Sequence, residues 1–315
     1  MATARTNRTS LAILLIVSSV LLLSGADAAV KAVSADYSLW QIYAARSAFS
    51  VPILLALLSA GGGLGLWLQI ARPWIIVRSV LLVGMWIAYY AALPSTDLSV
   101  AATALYTTPL FIAGFSSLFA NEPVGRGGWI GIVLGFIGVL VILRPGADDF
   151  SVWAILPILA AAFYALAAIV TRMQCSSESP IVIALALHVC LLVTGIIGTA
   201  LIAMVQPASS EPFLFGGWTA MQGGDWAIMA MLGIVMVAVA VGVARAYQSG
   251  PPAIVGTFDY AYLVFAAVWG VLFFSETLDA PTAMGILLII LAGIMVVRQK
   301  SQRIVTTPAR SRQDV

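Results

Sequence analysis

Four ionisable side chains interrupt apolar stretches of this 315-residue sequence: Asp27, Arg46, His188 and Asp259. A charge at bilayer depth costs roughly 2.5–3.5 kcal/mol on insertion scales, so each such residue needs a physical reason. Asp27, His188 and Asp259 can exchange protons, and a guanidinium such as that of Arg46 can bind a carboxylate bidentately. These residue types indicate proton coupling and recognition of a small ligand.

Asp27 and Arg46 each admit a structural interpretation as well. Lys31 lies four residues after Asp27, so the two share a helix face and can form an ion pair that anchors the helix end. Arg46 lies about 10 Å along its helix at 1.5 Å per residue. It can bind substrate, extend toward the membrane surface or pair with Asp27.

His188 and Asp259 are equally open to two interpretations. A lone histidine is either a packing residue or a proton relay, because its pKa makes it a usable switch. An unpaired carboxylate at the depth of Asp259 is expected to be protonated or to face a water-filled cavity. The alternative for Asp259 is pairing with Arg245, the nearest basic residue in sequence.

Several polar aromatic residues are candidates to line a cavity. Tyr106 and Tyr260 each follow a threonine by three residues, Thr103 and Thr257, so each pair occupies one helix face. Tyrosine can stack on a planar ligand and donate a hydrogen bond, although it also serves as an interfacial anchor in membrane helices. Tyr164, in the middle of its apolar segment, is a further cavity-lining candidate.

The composition decides which elements position these residues. Hydrophobic residues make up 62% of the chain and charged residues 9%, whereas an average soluble domain is about a quarter charged. The chain is therefore expected to be an all-α polytopic membrane protein in contact with the lipid bilayer. The net charge of +2 gives no indication of nucleic-acid binding.

Ten segments satisfy the requirement of about 20 apolar residues per membrane-spanning helix. They lie near residues 10–32, 39–60, 74–93, 98–119, 128–144, 151–171, 180–205, 226–246, 252–274 and 281–298. Lysine and arginine concentrate in alternate connections, among them Arg72, Arg126 and Arg172. By the positive-inside rule both termini are then cytoplasmic.

The chain also contains an internal repeat. Residues 92–144 and 246–298, aligned at a shift of 154, share 13 identities in 53 positions, including Tyr106 with Tyr260. A shift of 142 relates earlier segments and places Arg46 on His188. We therefore predict two five-helix repeats, 10–146 and 151–298, between tails at 1–9 and 299–315. Because five is odd, the second repeat is inverted, as in secondary transporters.

The first segment also has the appearance of a signal peptide, with a small-x-small site at residues 26–28. Its repeat partner is the internal sixth segment, because residues 11–20 align with residues 153–162. An internal segment cannot be a cleaved leader. We therefore expect the first helix to be retained.

The stretches "FANEPVG" and "FFSETLD", each leading into a predicted helix, occupy the same place in the two repeats. With "AALPSTDLSVAATALYTTPLF" and "ARAYQSGPPAIVGTFDYAYLVF", they make residues 10 to 298 resemble the drug/metabolite transporter superfamily, specifically EamA-type exporters. The resemblance implies ten helices, a central cavity and alternating access. We interpret Glu122 and Glu276 as structural caps of the helices that follow them.

These features predict a secondary transporter, and an exporter, of a small metabolite such as an amino acid or a related compound. The expected location is the prokaryotic inner membrane, and proton coupling is one way to drive transport. The alternatives are a channel or an uncoupled facilitator, and an intramembrane enzyme. The sequence has no GxxxxGK[ST], HExxH or GxSxG motif, so we expect neither enzymatic activity nor a cofactor or metal.

Overall fold

The computed structural model describes residues 2–33, 36–61, 64–92, 104–119, 124–143, 155–205, 212–274 and 280–305. Within these ranges the regular structure is helical and no β-strand occurs. The principal helices are α1 (Ala2–Val33), α2 (Leu39–Ala60), α3 (Pro73–Ala92), α4 (Thr108–Phe119), α5 (Arg126–Leu143), α6 (Ile155–Met173), α7 (Pro180–Val205), α8 (Gly223–Ser249), α9 (Pro252–Asp259), α10 (Ala261–Phe274) and α11 (Ala280–Val305). A 3₁₀ helix, Leu64–Ala71, and a single turn, Pro212–Phe215, lie between them.

The helix ends follow from local sequence. The Ser38 side chain caps α2 by accepting a hydrogen bond from the backbone N–H of Gln41. Gln222 and Asp225 form a capping box at the start of α8. Helices α3, α7 and α9 each begin at a proline, where the missing N–H costs nothing. Helix α1 begins at Ala2 and so includes most of the predicted tail, because neither glycine nor proline precedes Gly25.

Among the described residues, six helices are long and apolar enough to cross a membrane. They lie at Arg8–Val30, Leu39–Ala60, Pro73–Ala92, Ile155–Met173, Pro180–Val205 and Gly223–Ser249. Shorter apolar helices fall within the remaining predicted segments, at Thr108–Phe119, Arg126–Val141, Pro252–Phe265 and Ala283–Ala292. The expectation of an all-helical polytopic membrane protein is confirmed, and the count of ten spans and the cytoplasmic termini stay predictions.

The helices before residue 150 (the first half) pack reciprocally against those after it (the second half). Helix α1 packs against α8 as α6 packs against α3, and α1 packs against α10 as α6 packs against α4. Helices α2 and α7 pack against each other, as do α5 and α11. The core therefore forms mainly between the halves rather than within either one.

Glycines allow the closest of these approaches. A Cβ at Gly195 of α7 would lie 2.6 Å from the backbone nitrogen of Ala44 on α2. One at Gly138 of α5 would lie 2.8 Å from the carbonyl oxygen of Gly285 on α11. Small residues at helix contacts are typical of membrane proteins, since they permit close van der Waals packing between backbones.

The helical run is interrupted at the repeat-equivalent tyrosines. The turn at Tyr106 and Thr107 precedes α4, and Tyr260 separates α9 from α10. Three residues named in the sequence analysis, and the side chain of a fourth, lie outside the described part. They are Thr103, Glu122, Glu276 and the side chain of Lys31.

Candidate functional site

The four intramembrane ionisable residues lie in the interior of the bundle and come from four helices. Arg46 of α2, His188 of α7 and Asp259 of α9 are buried, and Asp27 of α1 is half-buried. Arg46 acts electrostatically on both Asp27 and His188. The half-buried Tyr106 is within electrostatic reach of both carboxyl groups. The fold thus brings residues from distant parts of the sequence into one polar interior, which we call the polar centre.

Asp27 has a partner that its sequence neighbours do not reveal. The hydroxyl of Tyr262 on α10 donates a 2.7 Å hydrogen bond to Oδ2 of Asp27. One turn before Asp27, Oγ of Ser24 accepts a 2.9 Å hydrogen bond from Nε1 of Trp269. Two polar contacts therefore hold α1 to α10 beside the acid. The predicted pairing with Lys31 is not tested, because that side chain is outside the described part.

Asp259 lies in a second tyrosine pocket. The buried hydroxyl of Tyr247 on α8 donates a 2.7 Å hydrogen bond to Oδ2 of Asp259. Tyr164 of α6 packs edge to face on Tyr247, with ring centroids 6.2 Å apart, and is within electrostatic reach of Asp259. The alternative partner, Arg245, is exposed, and among the described residues it makes no ion pair with Asp259.

Tyr106 lies between the pockets of Asp27 and Asp259. The ring of Tyr106 lies 5.8 Å from that of Tyr262, which binds Asp27. Tyr106 is also within electrostatic reach of Tyr164, which lies beside Asp259. Tyr106 is therefore in ring contact with the first acid pocket and within electrostatic reach of the second.

Arg46 is buried with much of its hydrogen-bonding capacity unused. Its side chain is 5% exposed, and its guanidinium carbon lies 5.0 Å from the centroid of the Tyr43 ring. Neither Nε nor Nη2 has a hydrogen-bond partner, and the hydroxyl of Tyr43 has none within the described residues either. A buried cation with unsatisfied donors is costly unless something else binds it.

His188, the repeat counterpart of Arg46, is fully buried. Its Nε2 lies 3.4 Å from the carbonyl oxygen of Met236 on α8. Nδ1 has no hydrogen-bond partner in the described structure. One ring nitrogen thus faces the backbone, and the other is buried without a partner among the described residues.

Tyr260 and Thr257 are placed in packed surroundings. Tyr260 is fully buried, and its hydroxyl lies 3.4 Å from the carbonyl oxygen of Ile132 on α5. A Cβ at Gly135 would lie 2.6 Å from the Tyr260 ring, so this tyrosine fills space above α5. The hydroxyl of Thr257 donates to the carbonyl oxygen of Ala253, one turn back. Both side chains are buried in this conformation, and their place along a cavity stays a prediction.

Aromatic side chains of α2 and α3 extend the polar centre toward the turn at residues 212–215. Tyr90 stacks on Trp86 at 5.5 Å and packs edge to face against Tyr43 at 6.5 Å. Phe213 packs against the other side of Tyr90 at 5.6 Å. The guanidinium of Arg46 contacts Tyr43 and therefore lies beside this cluster of aromatic rings. A planar ligand group could contact the same rings.

Hydrogen bonds fasten both ends of the bundle. At the α6–α7 turn, Nε2 of Gln248 donates to the carbonyl oxygens of Cys175 and Glu178, at 2.5 and 2.9 Å. Burial raises the pKa of the Cys175 thiol, which forms no disulfide. Near the start of α2, the side chain of Gln41 exchanges two hydrogen bonds with the backbone of Thr219, at 2.6 and 2.9 Å.

Sequence reasoning missed the hydroxyl partners of both acids, Tyr247 and Tyr262. A weak signal was present for Tyr262, which lies three residues after Asp259, but it pairs with the other acid. Tyr43, one turn before Arg46, was an available signal for the cation–π contact. Within the described residues, no group of three His, Cys, Asp or Glu side chains could hold a metal ion.

A helical bundle with several membrane-spanning helices that buries charges and tyrosines between its halves is typical of membrane transport proteins. The model of the EamA-like transporter family matches residues 10–144 and 151–298. The chain belongs to this family, which confirms the resemblance drawn from the sequence.

Characterised relatives are transporters of small molecules. The pseudopaline exporter CntI of Pseudomonas aeruginosa is 29% identical over 275 residues, which cover 87% of this chain and 91% of the relative. A riboflavin transporter of Rhizobium johnstonii is 28% identical, with coverage of 86% and 83%. An S-adenosylmethionine uptake transporter of Rickettsia felis is 26% identical, with coverage of 73% and 74%. The names of the family and of these relatives indicate transport rather than enzymatic activity.

A solved crystal structure shares the fold. It superposes with a TM-score of 0.74 at 21% identity and covers 93% of this chain and 99% of its own. At this identity the similarity concerns the fold alone.

Proposed function

We propose that the protein is a secondary transporter that exports a small metabolite, an amino acid or a related compound, by alternating access. The observation that carries the proposal is the polar centre, where Asp27, Arg46, His188 and Asp259 lie between the two halves. Such residues in membrane helices typically mark substrate or ion pathways. The bacterial relatives support a place in the prokaryotic inner membrane.

We propose ten membrane-spanning helices in two inverted repeats, 10–146 and 151–298, with both termini cytoplasmic. The reciprocal packing of α1 with α8 and of α6 with α3 supports this arrangement. So do the helix interruptions at Tyr106 and Tyr260, which occupy equivalent repeat positions. Interrupted helices near the junction of inverted repeats commonly form transporter binding sites.

Within this arrangement we assign Asp27, His188 and Asp259 as proton-coupling residues. The carboxyl groups of Asp27 and Asp259 accept hydrogen bonds from Tyr262 and Tyr247, so gaining or losing a proton would alter these hydrogen bonds. Arg46, Tyr106 and Tyr164 are the proposed cavity-lining residues. Thr103 and the helix-capping roles of Glu122 and Glu276 stay predictions.

The names of the relatives indicate different directions of transport. CntI is an exporter, whereas the Rickettsia felis protein is an uptake transporter. Export is therefore the part of the proposal that most needs a direct measurement in vesicles of known orientation.

The test is efflux from proteoliposomes loaded with labelled amino acids and purines, with and without an imposed pH gradient. Saturable efflux of one compound that the gradient accelerates is the expected result. Saturable efflux that is indifferent to pH would replace the coupled carrier with a facilitator. Absence of counterflow with saturating substrate on the opposite side would indicate a channel.

A further inference from the structure

Arg46 is a buried cation that forms no ion pair within the described residues. Among the described residues, the ion pair that forms joins Arg72 to Glu178 at the far end of the bundle. Asp27 interacts with Arg46 electrostatically, yet its Oδ2 accepts the hydrogen bond from Tyr262. A guanidinium removed from water without a partner is unfavourable, so its retention here points to an external ligand.

The unpartnered atoms of Arg46 define the shape of that ligand. Nε and Nη2 lie on the same edge of the planar guanidinium, and their N–H bonds point in parallel. This edge matches the two oxygens of a carboxylate, which it binds through paired hydrogen bonds. Because Tyr43 contacts the guanidinium, the binding edge is held in place before any ligand arrives.

The charges nearby favour a carboxylate over a phosphate monoester. Within the described residues, Arg46 is the cation that acts on Asp27. One guanidinium cannot neutralise a dianion, and the carboxyl group of Asp27 would repel the excess charge. With the carboxyl group of Asp27 charged, Arg46 and one ligand carboxylate together carry a net charge of −1, which an amine on the same compound neutralises.

We propose that Arg46 binds the carboxylate group of the transported compound through Nε and Nη2. The inference rests on the proposed transport function and names the chemical group that its binding site selects. The neighbouring Nδ1 of His188 and hydroxyl of Tyr43, both unpartnered, supply further polar contacts to the same ligand.

The experiment has two steps because the substrate is unidentified. Proteoliposomes are first loaded with a bacterial small-molecule extract, and mass spectrometry identifies the compounds that leave. Each compound that leaves is then compared with its primary amide, which has the same size without the negative charge. The proteins are wild type, Arg46→Gln, Arg46→Lys and the control Arg78→Gln. Arg78 is also buried and its Nη1 also lacks a partner in the described structure, but its Nε donates to Thr171 at 2.9 Å.

The expected result is that exported compounds carry a carboxylate and that wild type prefers the acid over the amide by ten-fold or more. Arg46→Gln then raises the KM for the acid at least ten-fold and removes the preference. Arg46→Lys retains charge but lacks the planar fork, so it restores only part of the preference. Arg78→Gln keeps the preference. Monodispersity and melting temperature in detergent verify folding, and Arg46→Lys decides the matter if Arg46→Gln does not fold.

Two other outcomes separate this inference from the function on which it rests. If wild type exports compounds without a carboxylate, or Arg46→Gln keeps the acid-over-amide preference, Arg46 is not a carboxylate site and transport stands. If wild type releases no compound from the extract and shows no counterflow, the transport proposal fails and the Arg46 inference fails with it.

Discussion

The hydroxyl of Tyr262 donates a 2.7 Å hydrogen bond to Oδ2 of Asp27, although the two residues are 235 positions apart. The contact joins α1 of the first half to α10 of the second. Any movement of one half against the other must therefore preserve or break this bond. A hydrogen bond to a carboxyl group in this position can link protonation to conformation.

Substitution of Asp27 is expected to separate proton coupling from transport. In Asp27→Asn the side chain still accepts a hydrogen bond from Tyr262 but can no longer exchange a proton. Efflux should continue, and its acceleration by an imposed pH gradient should fall at least ten-fold. Efflux from loaded vesicles, measured with and without the gradient, gives the acceleration directly.

The matched control for Asp27→Asn is Tyr262→Phe, which removes the donor and keeps the carboxyl group. Gradient acceleration should persist in this variant, with a slower maximal rate. If Asp27→Asn retains the full response to the gradient, Asp27 is a structural residue, as its alternative interpretation holds.

Substitution of Tyr247 is expected to destabilise the fold through Asp259. The buried carboxyl group loses its 2.7 Å hydrogen bond in Tyr247→Phe, and leaving a buried group unsatisfied costs about 1–3 kcal/mol. The double variant with Asp259→Ala should lose less than the sum of the single losses, because each single change removes the same contact. Unfolding in detergent gives these free energies.

Tyr89→Phe is the corresponding control, because Tyr89 contributes a ring contact with Tyr90 at 5.5 Å that phenylalanine retains. Its stability should change by less than about 0.5 kcal/mol. Strict additivity of Tyr247→Phe and Asp259→Ala would contradict the assignment of the hydrogen bond as the source of stability.

The sequence was sufficient for the class of protein and for the ionisable residues of the polar centre, but not for their partners. Hydropathy marks helices because the bilayer imposes a length and a polarity on each of them. The aligned pair Arg46 and His188 does lie within electrostatic reach in the structure. Tyr262 could not be assigned to Asp27, since a contact across 235 residues depends on how α1 and α10 pack.

The spacing of residues in the sequence also did not predict how deeply the two aligned tyrosines are buried. Tyr106 and Tyr260 are equivalent in the repeat, yet the first is half-buried beside Tyr262 and the second is fully enclosed above Gly135. Inverted repeats share a fold without sharing a side-chain environment, because the residues facing each helix differ.

Loss of Gln248 is expected to weaken the end of the bundle at the α6–α7 turn more than loss of the nearby ion pair. Gln248→Ala leaves the carbonyl oxygens of Cys175 and Glu178 without their donor, at a cost of about 2 kcal/mol. The side chain of Arg72, which pairs with Glu178, is 52% exposed, so Arg72→Ala should cost less than about 1 kcal/mol.

Hydrogen exchange distinguishes these two variants at the turn itself. Amides of residues 174–179 should exchange at least ten-fold faster in Gln248→Ala and close to the wild-type rate in Arg72→Ala. Equal or reversed effects would show that the exposed ion pair, rather than the buried amide, holds this end of the bundle together.

Enlarging Gly195 is expected to separate α2 from α7. The added methyl group in Gly195→Ala would lie 2.6 Å from the backbone nitrogen of Ala44 and 2.7 Å from the carbonyl oxygen of Trp40. Backbone cannot rotate away as a flexible side chain can, so the helices must move apart, at a cost of about 1–3 kcal/mol.

Gly114→Ala on α4 is the control, because its new methyl group meets no atom within 4 Å. Alanine is the better helix former, so this control should match or exceed wild-type stability. Melting temperatures of both variants in one detergent test the prediction, and a stable Gly195→Ala would mean that the α2–α7 contact is looser than the structure has it.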